Sequence, residues 1–486
     1  MASAVTDVSR FGPSLFGDRP PAVTTSSSAV FVDLDRTLLR GASGLVLSAA
    51  MRAEGLFEGR PSVPGERLFY GLYDLRGESL AFMALVRAAA VFVKGWPVET
   101  VRRAGQLAAA ELVALVQPYA PVVLAEHRRA GRRLVLATTT PHDLIAPFAE
   151  QVGFDDVIAT RYGRAQGRYD GGVDGPFVWS TGKLQAVRRW ADEHGVDLAA
   201  SHTCSDSVFD LPLLQAVGHP HAVNPDRRLW ALAQVRRWPV EHWDRPPGVP
   251  AVAGMEAYHL LRHLVRPELF PYARFDLQGL ERLPARGPAI FVANHRSYFD
   301  VAALALVLAR VGRPVRFLGK KEVFDAPVVG QLARALGGIC VDRAGQPGRA
   351  LDEARRALQA GEAVALLPQG TIPRGTAFFD PKLRGKTGAA RLAADTGAPV
   401  VPIGLWGTEQ VWPRSSRLPD VTALRHPPLV QVVVGEPFTV EGADPHRDTE
   451  AIMAAVAALL PAEARRRRRP RPDELARTFP PGHRPA

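Results

Sequence analysis

The chain has 486 residues, 47% of them hydrophobic and 22% charged, with a formal net charge of +11 and a sequence pI of about 10.1. That length exceeds one ordinary core and implies several domains, and the composition excludes wholesale disorder. Two cysteines, Cys204 and Cys340, exclude a disulfide framework and fit a reducing compartment; the basic excess favours an anionic partner, whether nucleic acid, anionic membrane or phosphorylated small molecule.

The first 27 residues are rich in Ser and Pro and read as a flexible tail without the apolar core of a secretory signal. "AVFVDL" (29–34) is a strand. A long helical region, roughly Gly44 to Ala130, follows, with breaks near Pro61–Pro64 and at Pro97. Strand-like runs then alternate with helical ones: "RRLVLATTT" (132–140), the helix 141–154, "DDVIAT" (155–160), the helix 183–195, "LAASHTCSDS" (198–207), the helix 210–218 and "HAVNPD" (221–226). Alternation of this kind predicts a parallel sheet with crossover helices. The proline-rich stretch Arg237–Pro250 is the best domain boundary. A helical lead-in, Met255–Phe270, opens a second series with strands "AIFVAN" (289–294), "VRFLGK" (315–320), "GGICVDR" (337–343), "AVALLPQG" (363–370), "PVVPIGLWG" (399–407) and "LVQVVVGEPF" (429–438). The end, from residue 461, is a basic, proline-rich tail. No internal repeat is visible.

Two strands end in reactive side chains. "FVDLDRTLL" places Asp33 and Asp35 one residue apart where open α/β sheets bind ligands. A divalent cation such as Mg²⁺ would make that pair tolerable; one carboxylate can then attack phosphorus while the other shuttles a proton. Thr138 ends the next strand, Lys183 opens a helix and offers a point charge for a phosphoryl group, and "SDSVFD" supplies Asp206 and Asp210 at another strand end. Together these motifs resemble the haloacid dehalogenase phosphatases, in particular their phosphoserine-phosphatase-like branch with a helical cap after the first motif. The resemblance covers about residues 28–235. It implies Asp33 as nucleophile, Asp35 as general acid/base, Thr138 and Lys183 on the phosphoryl group, and a Mg²⁺ site made by Asp33, the Asp35 carbonyl and Asp206, with Asp210 supporting it. The cap would span about 41–129. Ser205 stands where that family usually has glycine.

"FVANHRSYFD" gives His295 and Asp300 with four residues between them. A carboxylate on one ring nitrogen fixes the tautomer and leaves the other nitrogen as a base for an alcohol. Arg343 follows another strand and suits a phosphate. Gly370, Thr371 and Arg374 follow a third, where backbone N–H groups can meet an anion. The ordered series resembles the glycerolphosphate/lysophospholipid acyltransferase family over about residues 255–440. It implies His295 as general base, Asp300 as its orienting partner, and Arg343 with the Gly370–Thr371 turn holding the acceptor's phosphate. Gln369 replaces an acidic residue of the third motif and Ile372 replaces its arginine; Arg374, Lys382 or Arg384 could supply that charge.

The expected fold class is α/β in two domains: a Rossmann-like haloacid dehalogenase core with its helical cap at 28–240, then a glycerolphosphate-acyltransferase-type domain at 241–460, with the basic tail at 461–486. The expected function is bifunctional phospholipid metabolism. One half would transfer an acyl group from acyl-CoA or acyl-ACP (acyl carrier protein) to lysophosphatidic acid, giving phosphatidic acid; the other would hydrolyse phosphomonoesters with Mg²⁺. The alternatives are an acyltransferase whose first domain only regulates or docks, and a membrane-docked scaffold. No uncharged apolar run of about eighteen residues predicts a spanning helix. Peripheral attachment to an anionic membrane surface, on the cytoplasmic face, is expected through the helix Met255–Phe270 and the Arg465–Arg469 run. No nucleic-acid partner is expected, because no nucleic-acid fold signature is present.

Overall fold

The computed structural model describes residues 15–16, 27–57, 83, 91–252, 255–263, 265–342, 345 and 348–482. It divides into two compact units, residues 1–247 and 248–486, each built on a seven-stranded sheet.

The first unit runs β1 (Ala29–Val32), α1 (Gly44–Ala53), α2 (Val98–Ala114), α3 (Ala120–Arg129), β2 (Arg133–Pro141), α4 (His142–Val152), β3 (Asp156–Ala165), β4 (Arg168–Asp174), α5 (Thr181–His194), β5 (His202–Ser205), α6 (Leu211–Ala216), β6 (His219–Val223), α7 (Arg227–Arg236) and β7 (Val240–Glu241). The strand order is β4-β3-β2-β1-β5-β6-β7. Strand β1 lies in the middle, and all four of its residues are fully buried, as a parallel strand covered on both faces requires. Val32 is in register with Leu136 on one side and Cys204 on the other. Residues just past Val32, Leu136 and Cys204 therefore meet at one sheet edge. The expected helices within 41–129 include α1, α2 and α3; residues 58–82 and 84–90, with the expected break at Pro61–Pro64, lie outside the described residues. Strands β3 and β4 form an antiparallel hairpin. Sequence reading stops the strand at Thr160 because the continuation, "RYGRAQGRYDGGVD", is too polar and glycine-rich for a buried run.

The second unit contains a short antiparallel pair, β8 (Ala251–Val252) and β9 (Met255–Glu256), then α8 (Ala257–Leu261), β10 (Arg274–Gln278), β11 (Ala289–Ala293), α9 (Asp300–Leu308), β12 (Val315–Lys320), β13 (Ile339–Val341), α10 (Arg349–Gln359), β14 (Ala363–Leu366), α11 (Gly388–Thr396), β15 (Val400–Trp406), α12 (Thr408–Val411), β16 (Leu429–Val434), α13 (Pro445–Ala458) and α14 (Pro472–Ala476). The large sheet has the order β10-β16-β15-β11-β14-β12-β13, parallel except between β15 and β16. Alternate residues of β11 enter different cores: Ala289, Phe291 and Ala293 one, Ile290 and Val292 the other. That is the period of two of a pleated strand. Because β14, β11 and β15 are parallel neighbours, their carboxyl ends open onto one edge.

The expected helix Met255–Phe270 is not continuous. Helix α8 ends at Leu261, and Pro267–Leu269 forms a separate 3₁₀ turn. Pro267 removes a backbone donor, while Glu256 is tied by two hydrogen bonds of 2.7 and 2.9 Å to Arg316 on β12. The described part of the basic stretch from residue 461 bonds to its own unit. The Gly375 N–H donates to Thr478 Oγ1 at 2.8 Å, and Arg468 pairs with Glu474 at 2.8 Å while lying over the Phe379 ring. Among the described residues no helix is long and apolar enough to cross a membrane.

Candidate active sites

At the edge of the first sheet, Asp33 directly follows β1, and its backbone N–H donates to the Cys204 carbonyl on β5. Lys183, in the first turn of α5 and 2% exposed, donates Nζ to Asp33 Oδ1 and to Asp210 Oδ2, both at 2.7 Å. A buried ammonium needs such partners, because leaving it unpaired would cost several kcal/mol, on the order of 3–5. Asp206 follows β5. Its Oδ1 accepts from Thr37 Oγ1 at 3.2 Å, its backbone N–H donates to the same hydroxyl at 2.9 Å, and its Oδ2 lies 3.3 Å from Arg36 Nε. The sheet thus brings Asp33, Lys183, Asp206 and Asp210 together. Asp35 is oriented differently: its Oδ1 accepts the backbone N–H of Ser43 at 2.6 Å, just before α1. The side chain proposed to move a proton is therefore anchored where the helical insert begins. Thr138 is buried at the end of the straight part of β2, and its hydroxyl oxygen accepts the Thr140 N–H at 3.2 Å.

Three further residues complete this site. Thr37, fully buried, clamps Asp206 from both its backbone and its carboxylate; the Asp-x-Asp-x-Thr spacing itself is the signal. Arg36, with φ of 61°, brings its guanidinium to Asp206. Ser205 is not an idle replacement for glycine: its Oγ donates to Asp210 Oδ2 at 2.7 Å and accepts the Ser207 N–H at 3.2 Å.

The residues fit a hard divalent cation. Every candidate donor is an oxygen, and Asp210 Oδ1 is buried without a hydrogen-bond partner, a lone pair that a cation or its water shell satisfies. Among the described residues no three His, Cys, Asp or Glu side chains form a closed cage. A cation here would draw on a backbone carbonyl and on water, as Mg²⁺ commonly does.

Behind this edge sits a second charged node. Asp143, in the first turn of α4, accepts from Arg164 Nη2 at 2.6 Å, Tyr169 OH at 2.7 Å and Arg102 Nε at 3.1 Å. Burial pushes its carboxyl up, but the neighbouring His142, the hydrogen bonds from Tyr169 and Arg102 and the Arg164 charge outweigh it and hold the group well below the usual carboxylate range. The node ties α2 and the β3–β4 hairpin to the helix that follows Thr138.

In the second unit the chain leaves β11 through Asn294, whose buried amide bonds both the N–H and the carbonyl of Leu405 on β15, at 2.8 and 2.9 Å. His295 comes next. Its Nδ1 lies 2.7 Å from Asp300 Oδ2. The same oxygen accepts the backbone N–H groups of Arg296 and Ser297 at 2.6 and 2.8 Å, and Thr408 donates to Oδ1 at 2.6 Å. Asp300 is fully buried. Three other donors already face the Asp300 carboxylate, so the matching tautomer has His295 Nδ1 donating and leaves Nε2 as the acceptor nitrogen. Gln369, beyond β14, accepts the His295 backbone N–H through Oε1 at 2.6 Å. Arg296 is held between the Phe378 and Trp406 rings, 4.2 Å from each centroid, and pairs with Glu409 at 2.7 Å.

The phosphate-binding candidates divide. Arg343 lies outside the described residues. Gly370 has φ of 67° and donates its N–H to Leu367 O at 2.9 Å, so that N–H closes the turn. Thr371 is half-buried on the same loop, and Arg374 is exposed a little beyond it. Lys382 pairs with Glu450 at 3.1 Å on the surface. An arginine with no sequence signal, Arg414, is only 7% exposed and donates Nη1 to the Ile372 carbonyl. Burial and the like charge of Arg374 hold it below its ordinary value.

Comparison with known proteins agrees with this division of the chain. The family model for haloacid dehalogenase-like hydrolases matches residues 30–215, and the acyltransferase family model matches residues 274–406. A probable phosphatase of Mycobacterium tuberculosis (strain ATCC 25618 / H37Rv) is 33% identical over 236 residues, spanning 48% of this chain and 80% of that protein. A phosphoserine phosphatase of the same organism is 31% identical over 237 residues, 46% of this chain and 73% of that one. A chloroplastic 1-acyl-sn-glycerol-3-phosphate acyltransferase of Brassica napus is 32% identical over 170 residues, 33% of this chain and 46% of that protein. With the strand-end carboxylates in the first unit and the His295–Asp300 pair in the second, the chain belongs to the haloacid dehalogenase-like hydrolases through its first half and carries an acyltransferase-family domain in its second.

Proposed function

We propose that the protein is a bifunctional enzyme of phospholipid metabolism: it transfers an acyl group from acyl-CoA or acyl carrier protein to 1-acylglycerol 3-phosphate, giving phosphatidic acid, and hydrolyses a phosphomonoester with Mg²⁺. The observation that carries the acyl-transfer half is the fully buried Asp300 on His295 Nδ1. His295 Nε2 takes the proton of the acceptor hydroxyl as its oxygen bonds to the thioester carbonyl carbon. The tetrahedral intermediate then expels the thiolate, which receives that proton. Asp300 stabilises the imidazolium between those two steps.

In the first unit, Asp33 would attack phosphorus, and Asp35 would protonate the departing ester oxygen and then deprotonate the water that releases phosphate. Lys183 holds the nucleophile in place. Asp33, Asp206 and the Asp35 carbonyl would hold Mg²⁺, with Asp210 behind them; when bound, it would neutralise charge on the carboxylates and the phosphoryl oxygens. One observation supports a second reading, in which this half regulates and does not hydrolyse: Arg36 already pairs with Asp206. A lipid acceptor and product would put the work at an anionic membrane surface, with the exposed Arg465–Arg469 stretch as a candidate contact.

Product analysis by lipid mass spectrometry tests both halves. Lysophosphatidic acid plus acyl donor should yield phosphatidic acid without Mg²⁺. His295→Ala should abolish this and leave Mg²⁺-dependent hydrolysis of a generic phosphate ester intact, and Asp33→Asn should do the reverse. Acyl transfer that survives in His295→Ala removes the proposed base. A wild-type protein that hydrolyses nothing across a broad phosphomonoester panel favours the regulatory reading.

A further inference from the structure

Among the described residues four arginines are buried: Arg128, Arg296, Arg316 and Arg414. Three have carboxylates. Arg128 pairs with Asp155, Arg296 with Glu409, and Arg316 with Glu256 and Glu362. Arg414 has none; it donates Nη1 to the Ile372 carbonyl, and its buried Nε has no hydrogen-bond partner. A guanidinium removed from water without a counter-charge is strongly disfavoured unless an anion arrives to pair with it. Its charged neighbour makes matters worse in the free protein, because Arg374 bears a like charge close by.

Position tells which anion. Arg414 touches the loop that carries Gln369, the acceptor of the His295 N–H. Two residues before it, the Trp412 carbonyl accepts from Ser297 Oγ, and the Trp412 ring packs edge-on against Tyr298. The segments that hold the base on both sides therefore converge on Arg414. Ile372, whose carbonyl it grips, is the position from which the family's third-motif arginine is missing.

We propose that Arg414, backed by Arg374, is the residue that selects a phosphomonoester acceptor: the buried guanidinium, supplied from beyond β15, binds the phosphate of the glycerolipid whose free hydroxyl meets His295. This rests on the acyl-transfer reading above and adds the specificity determinant. A phosphate dianion neutralises both arginines and takes up the Nε–H. A neutral glycerolipid leaves Arg414 buried and unpaired, so discrimination comes from the cost of not binding phosphate as much as from the contact itself.

The test uses the full chain carrying Asp33→Asn, in EDTA and without acyl donor, so that neither site turns over. Binding of a short-chain lysophosphatidic acid and of the matching monoacylglycerol is measured by calorimetry. Arg414→Gln keeps a donor for the Ile372 carbonyl and removes the charge. It should weaken lysophosphatidic acid binding about tenfold or more, leave monoacylglycerol unchanged, and abolish competition by inorganic phosphate. Arg374→Gln, at an exposed position that folding tolerates, should weaken the same ligand about threefold. Unchanged binding of lysophosphatidic acid in Arg414→Gln, or equal loss of both lipids, overturns the proposal, the latter marking a loop pin. Acyl transfer is assayed separately with Asp33 restored. Arg414-dependent binding without any acyl transfer leaves the subsite standing and removes the acyltransferase reading. Transfer with an undiminished acceptor preference in Arg414→Gln does the opposite.

Discussion

Gln369 Oε1 accepts the backbone N–H of His295 at 2.6 Å. The contact reaches from the loop after β14 to the loop after β11 and fixes where the His295 backbone stands. What it requires is an acceptor, and an amide oxygen supplies one as well as a carboxylate does. The departure from the family's acidic residue therefore leaves His295 in place.

Two substitutions separate acceptor from charge. Gln369→Glu should retain acyl transfer within about twofold, because the acceptor survives. Gln369→Leu strands a backbone N–H at about 1–3 kcal/mol and lets the His295 loop drift. Steady-state kinetics should then show kcat down roughly tenfold with the acceptor KM little changed. Equal activity in both variants would mean that the contact does not position the base.

Ser205 links Ser207 to Asp210 within the first site. Ser205→Gly, which restores the family's usual residue, removes one hydrogen bond to a buried carboxylate and should lower unfolding free energy by about 1–2 kcal/mol. Lys183 still holds Asp210 Oδ2, so the variant should keep hydrolytic activity. Denaturant melts and phosphatase assays on one preparation check both statements.

Asp143 makes the stability of the first unit depend on acid. Its folded pKa lies below the unfolded value, so its contribution is complete above the ordinary aspartate range and is lost as pH falls toward the folded value. Asp143→Asn should be destabilised by about 2–4 kcal/mol at neutral pH. The gap to wild type should begin to narrow below about pH 4 and go on narrowing toward the folded value. A gap independent of pH would assign the loss to packing instead.

His127 on α3 and His202 at the start of β5 titrate in a different window. His202 Nδ1 lies 3.0 Å from His221 Nε2, and His221 Nδ1 lies 2.7 Å from Glu241. Burial, with Arg132 and neighbouring histidines, lowers His127 to about 4 and His202 to about 3. For a base, a depressed folded pKa means the unfolded chain binds protons first. Stability from these residues is thus complete above about 6.5, the free-histidine value, and declines as pH falls toward 4 and 3. Replacing both by Gln should flatten the melting temperature against pH between about 6.5 and 4.5; an unchanged slope would refute the account.

The positions of the candidate site residues were legible because strand-end motifs are local. Asp33 after an apolar run, Lys183 opening a helix, and His295 five residues before Asp300 each announce a role within a few positions. The breaks in regularity were not. "RYGRAQGRYDGGVD" pairs with itself as a hairpin although its pattern is polar. The lead-in Met255–Phe270 carries helical spacing, yet Glu256 serves the distant Arg316, the helix stops at Leu261 and Pro267 opens a separate turn.

The amino-acid sequence by itself determined the two α/β series and the placement of the candidate carboxylates and imidazole at strand ends, because periodicity and short spacing are properties of neighbouring residues. Only the tertiary structure decided that Gln369 positions His295, that Ser205 and Thr37 hold Asp210 and Asp206, and that Arg414 is buried without a carboxylate. Those are contacts between loops brought to one edge by parallel strands, and no local pattern encodes which distant side chain completes a buried charge.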